Sequence, residues 1–179
     1  MQIKGTMSKG SAISAAENLS AQCMQLQNGI LIEQSPTAIR AFDFGNGDGQ
    51  VDCFPVTLPD LYTIHKSTQV ANVRTYVYVA GASFPSGDLR DMPDGPTADE
   101  RDATPYNASV QVTSPGGQVT ASVLHTVNGY TFAALASVEG AKQVLGGSFR
   151  PGFHTPVEVF GRTFVETVGG TTLVDSNGM

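Results

Sequence analysis

Apolar positions recur at helical spacing in two stretches near the C-terminal end of the chain. After the Asn128-Gly129 turn, Phe132, Leu135, Val138, Ala141 and Leu145 trace one face of a helix. Gly146-Gly147 ends it, because a left-handed cap at glycine carries no Cβ clash. A second helix is expected from Thr155, with Pro156 as its first residue and Glu158 three places after the cap. That order is a capping box with proline where its missing N–H is harmless. Its stripe is Val157, Phe160, Phe164 and Val168.

Upstream, the pattern alternates between strand and helix periods. Residues 1–7 read as a short strand leading through Ser8-Lys9-Gly10-Ser11 into a helix with Ile13, Ala16, Leu19 and Cys23 on one face. Asn28-Gly29 is expected to end that helix and open a strand at 30–32. Strands at 39–44 and 51–56 pair through Gly45-Asn46-Gly47-Asp48-Gly49. A short helix starts at Pro59-Asp60 and runs through Leu61 and Ile64. The clearest strand is 72–80, where Val73, Thr75, Val77 and Val79 alternate with Arg74, Tyr76 and Tyr78. From 81 to 105 Pro, Gly and Asp dominate, and a loop of that length is functional or mobile. Within it Thr97-Ala98-Asp99-Glu100 matches a capping box. A second hairpin joins 109–113 to 118–127 through Ser114-Pro115-Gly116-Gly117, with Val110 and Val112 on one strand and Val119, Ala121 and Val123 on the other. A last strand falls at 171–174. The elements predict a single α+β domain over 1–179, with a mixed, largely antiparallel sheet and helices packed mainly on one face.

Composition narrows the partners. At 179 residues the chain is long enough to bury roughly two-thirds of its unfolded surface. Its net charge of -6 argues against nucleic acid or an anionic membrane as partner. Cys23 and Cys53 have no zinc-like spacing and read as buried free thiols in a reducing compartment. No apolar run approaches the roughly 18 residues of a membrane span, and the N-terminus lacks a signal-peptide core. A cytoplasmic protein is expected.

No complete catalytic constellation is visible, so no catalytic residue is assigned. Gly45 to Gln50 nearly spells the dinucleotide pattern, but Gln50 replaces the third glycine and a strand follows at once, as in a hairpin. The segment 81–87 lacks the second glycine, and neither segment has the phosphate-binding lysine. Acidic residues in 43–49 miss the alternate positions of a calcium loop. His65, His125 and His154 are far apart, and none has a His or Cys partner at metal spacing. His154 lies beside Arg150 at a tight corner: the two either bind a carboxylate together or tie the corner down. Ser8, Lys9, Gly10 and Ser11 suit either close approach of a ligand to backbone N–H groups or a plain helix cap. Lys66, Ser67, Thr68 and Asn72 form a third polar cluster. Tyr130 either points a hydroxyl at a site or is an amphipathic residue at a helix start.

Taken in order, Ser8-Lys9-Gly10-Ser11, FDFGNGDG at 42–49, FPVTLPDLYTIHKST at 54–68, NVRTYV at 72–77, DGPTADER at 94–101, NGYTFAALASVEGAKQVLGG and RPGFHTPVEVFG resemble the C-terminal half of saccharopine dehydrogenase-like oxidoreductases. The resemblance covers nearly the whole chain. It departs at Ser11, where relatives often have Thr, and at Val70-Ala71, where many have Ile-Pro. It implies a substrate-binding and dimerisation domain, a homodimer, and NAD(P) bound only by an N-terminal Rossmann domain that is absent here and would act in trans or from upstream. This chain would then bind no cofactor or metal and would not be active alone. The resemblance also implies that Ser8, Gly10 and Ser11 face the nicotinamide side and that 66–72 lies near the cleft. Two other readings stay open: a free-standing module for an amino or carboxylic acid, and a structural homodimer without ligand.

Overall fold

The computed structural model describes residues 1–20, 22–80, 88 and 91–177. The segment 81–87, one of the two glycine-rich stretches, lies outside the described residues. Contacts group the chain into two compact units, Gln2–Phe42 with Gln50–Glu100, and Met1 and Asp43–Gly49 with Arg101–Met179.

The first unit holds strands β1 (Gln2–Lys4), β2 (Met24–Gln27), β3 (Ile30–Glu33), β4 (Arg40–Asp43), β5 (Gln50–Pro55) and β6 (Tyr76–Ala80), with helices α1 (Lys9–Ser20) and α2 (Asp60–Thr68). Its main sheet runs β4-β5-β6-β1. β1 lies parallel to β6, with Ile3 opposite Val79, and β5 is antiparallel to β6, with Phe54 opposite Val77. The sheet is therefore mixed. Gly45, Gly47 and Gly49 between β4 and β5 all take positive φ, and β5 starts directly at Gln50 with no helix opening there.

The Asn28-Gly29 pair does not end a helix. α1 ends at Ser20, and Asn28 and Gly29, with φ of 52° and 75°, join the antiparallel strands β2 and β3. Two central residues at positive φ make a primed hairpin turn, matched to the twist of its strands. α1 also buries Ala12 and leaves Ile13 exposed. The strand expected over 72–80 begins only at Tyr76. Val73 instead exchanges both backbone hydrogen bonds with Leu26, each at 3.0 Å. That bridge sets Leu26 and Val73 against Leu61, with Met24, Leu31 and Ile64 packed around them. Leu61 is fully buried, a burial that contributes about 1.5–3 kcal/mol.

α3 (Ala98–Ala103) opens on the capping box read from the sequence. The Thr97 N–H donates to Glu100 Oε2 at 2.7 Å, and the Glu100 N–H donates to Thr97 Oγ1 at 3.3 Å.

The second unit holds β7 (Tyr106–Thr113), β8 (Val119–Thr126), α4 (Gly129–Leu145), α5 (Pro156–Phe160), a 3-10 helix (Arg162–Thr167) and β9 (Thr172–Asn177). β7, β8 and β9 form consecutive antiparallel pairs. Register sends the two valine sets to opposite faces. Val110 and Val112 lie opposite Ser122 and Thr120, whereas Val123 and Val119 lie opposite Ser109 and Thr113. Val110, Val112 and Val119 are exposed.

The second C-terminal helix is shorter than its stripe predicts. α5 stops at Phe160 because Gly161 takes φ of 85°, and the chain continues as the 3-10 helix. Phe164 and Val168 are nevertheless buried, and the Phe160 and Phe164 rings stack at 4.8 Å. Both rings lie against Gly140 of α4. α4 therefore turns Gly140 inward. Leu135, Val138, Ala141 and Leu145, four of the five positions read as its core face, are exposed. Together these elements make an α+β fold.

Candidate functional site

The corner that carries Arg150 and His154 is fixed at both ends by caps. Asn128 is buried at the start of α4: its Oδ1 accepts from the Tyr130 N–H at 3.0 Å, and its Nδ2 donates to Thr104 O and Oγ1 at 3.1 and 2.9 Å. At the far end Gly147 has φ of 99°, its N–H bonds Val144 O at 3.0 Å, and the Ser148 N–H bonds Gln143 O at 2.9 Å. Those two bonds are a Schellman motif. α5 then opens on Thr155, whose N–H and hydroxyl donate to Glu158 Oε2 at 2.8 and 3.0 Å.

Between the caps, Arg150 and His154 line one small open cavity of about 210 Å3, walled by Val144, Phe149, Val159 and Phe160. Arg150 makes no hydrogen bond or ion pair among the described residues. His154 is partly committed to the corner, because Nε2 lies 3.1 Å from Pro151 O and so carries a proton. Its buried Nδ1 has no hydrogen-bond partner among the described residues and lies 3.9 Å from Glu158 Oε1. In the neutral ring a lone pair faces that carboxylate; in the imidazolium a second N–H does. An anion entering this cavity meets one uncommitted guanidinium, a half-committed imidazole and aromatic walls, with Glu158 as the opposing charge.

The other sequence candidates belong to the first unit, apart from Tyr130. Ser8 Oγ accepts from the Ser11 N–H and donates to Ser11 Oγ, both at 3.1 Å, so it caps the first turn of α1. The Lys9 N–H donates to Pro93 O at 3.2 Å, and the space where a Gly10 Cβ would stand is open. Lys66 is exposed in the last turn of α2. Asn72 Oδ1 accepts from the Asn28 N–H at 3.0 Å and so holds the β2–β3 turn. Tyr130 is the second residue of α4; burial, the larger cause, and then Tyr130 push the Tyr106 phenol up.

Sequence spacing missed two polar groupings. His125 Nδ1 lies 2.8 Å from Asn107 Oδ1, its cross-strand partner, and the ring faces Gly45 closely enough that a Cβ there would sit 3.4 Å from Nε2. Arg162 Nη2 bonds both Asp175 oxygens at 2.6 Å, and Ser122 donates to the same carboxylate. Those bonds hold the Asp175 carboxyl below its usual range, Arg162 first and Ser122 second. Neither grouping could be found by linear spacing, since strand register brings His125 to Asn107 and Ser122 to Asp175, and Arg162 reaches Asp175 from the 3-10 helix.

Among the described residues no group of three His, Cys, Asp or Glu could hold a metal ion. Burial pushes the Cys53 thiol up, away from the thiolate form that would be nucleophilic. No helix among the described residues is long and apolar enough to cross a membrane. Compared with known proteins, the chain matches no family model, and no curated protein matches it.

Proposed function

We propose that these 179 residues form the substrate-side and dimerisation domain of a saccharopine dehydrogenase-like, NAD(P)-dependent oxidoreductase of the cytoplasm, with the cofactor held by a separate nucleotide-binding domain and no activity from these residues alone. The observation that carries the reading is the shared cavity of Arg150 and His154, walled by Phe149 and Phe160. It is smaller than the roughly 300–1,000 Å3 of drug-sized sites and suits one small amino or carboxylic acid. The ordered stretches named above support the family, and the α+β architecture is compatible with it. A Rossmann domain in trans or upstream would supply NAD(P), and the chain would pair with a second copy.

Calorimetric titration tests this reading with NADPH and with a panel of amino and dicarboxylic acids. The expected result is acid binding that Arg150→Ala weakens at least tenfold, and no heat from NADPH. Tight NADPH binding would overturn the claim that the cofactor site lies elsewhere. Acid binding indifferent to Arg150 and His154 would overturn the site. A ligand-free structural homodimer is the second reading, favoured by the apolar outer side of α4.

A further inference from the structure

α4 is apolar on both sides. Its inner side, through Gly140, packs on Phe160 and Phe164. Its outer side presents Leu135, Val138 and Leu145 at 46%, 55% and 89% exposure, with Ala134 and Ala141 between them. An exposed apolar stripe on the side of a helix away from its own packing ordinarily marks a contact surface. We infer that a second copy of this chain covers the outer side of α4 through an antiparallel, two-fold α4–α4 contact. This rests on the homodimer reading above and names its surface.

Three observations select a second copy as the occupant. First, the face is self-complementary. Leu135, Val138, Lys142 and Leu145 follow the three-then-four spacing of a packing seam. With the two-fold at the level of Gly140, Leu135 of each copy meets Leu145 of the other, and the alanines allow close approach. Second, the charges reciprocate. Glu139 and Lys142 lie 3.8 Å apart within one helix, and the two-fold sets each beside its opposite on the other copy. Third, the area fits a compact subunit contact. Leu135, Val138 and Leu145 with the exposed Ala134 and Ala141 offer on the order of 400 Å2 of apolar surface, about half of the roughly 800 Å2 each partner of a standard complex contributes.

Two variants in a Cys23→Ser background test the contact. Ala141→Cys places a thiol beside the two-fold, whereas Asp99→Cys on α3 is an exposed control. Mild oxidation should give a disulfide-linked dimer with the first and none with the second. Light scattering on the unmodified chain should give twice 18.7 kDa, and Val138→Asp with Leu145→Asp should halve that mass. Both replaced side chains are exposed, so the circular-dichroism spectrum should not change; a variant that loses its helical signal is replaced by Leu135→Lys, read the same way. A dimer that survives these substitutions and resists cross-linking at position 141 overturns the α4 contact and leaves the homodimer standing. A monomeric unmodified chain overturns both, while the acid titration still judges the binding site.

Discussion

Two glycines in α4 should respond to alanine with opposite signs, although helix propensity alone favours alanine at both. Gly140 lies mid-helix, and an added Cβ would stand 3.6 Å from the Phe160 ring and 3.7 Å from Phe164. Those are ordinary contact distances, so Gly140→Ala adds packing and removes unfolded-state freedom, a gain of about 0.5–1 kcal/mol. Gly129 is the first residue of α4, and its Cβ would stand 2.5 and 2.7 Å from two Tyr106 ring carbons. The Tyr106 ring springs from β7, so backbone or ring must move. Overpacking of that kind costs about 1–3 kcal/mol, more than propensity returns. For a chain of this size each kcal/mol is about 2–4 °C in Tm. Thermal unfolding at one fixed protein concentration should show Gly140→Ala melting higher and Gly129→Ala melting lower. The fixed concentration matters because any self-association makes Tm concentration-dependent. In a Tyr106→Ala background the penalty at Gly129 should vanish. If Gly129→Ala is neutral in the native background, or still costly without the ring, the contact with Tyr106 is not what requires glycine there.

The β2–β3 turn should fail in two separable ways: Gly29→Ala forces a Cβ into φ of 75° and costs about 1–2 kcal/mol, while Asn72→Ala removes the acceptor for the Asn28 N–H and costs about 1 kcal/mol, both read from urea midpoints. Acid should weaken the fold through Glu100 and Asp175. The Thr97 N–H and hydroxyl hold Glu100 below its usual value, as Arg162 does for Asp175, so their stabilisation is complete above the ordinary carboxylate pKa of about 4 and is lost as pH falls below it. Urea midpoints should therefore drop below about pH 4, and less steeply in Thr97→Ala and Arg162→Ala; equal slopes in all three proteins would remove these carboxylates from the account.

Local chemistry was readable in the sequence wherever the cause is local. The capping boxes at Thr97–Glu100 and Thr155–Glu158, the glycine stop after Leu145 and both glycine hairpins depend on residues within a few positions of one another, and each formed where the spacing placed it. What needs a partner distant in sequence was not readable. Asn28-Gly29 serves a helix stop or a primed turn equally well; only β2 pairing with β3, and Leu26 bridging to Val73, decides for the turn. The valines of β7 and β8 each alternate correctly, yet only register reveals that they occupy different faces.

The same limit explains the candidate residues and gives α4 its interest. Asn72 is polar and lies where the sequence pattern predicts a strand start, which suits a ligand site, but its acceptor is used on a turn 44 residues upstream. Arg150 and His154 do line one cavity because only three residues and a tight corner separate them, so locality sufficed. For α4, periodicity identified an apolar stripe and assumed that the stripe meets this chain's own core. Periodicity reports that a face avoids water, not which molecule covers it. Gly140 could turn inward because the Phe160 and Phe164 rings fill the space its missing side chain leaves, and this rotates Leu135, Val138 and Leu145 outward. A stripe strong enough to look like core and exposed enough not to be core is what a subunit contact requires, which is why the oligomeric state of this chain decides more about it than any single side chain does.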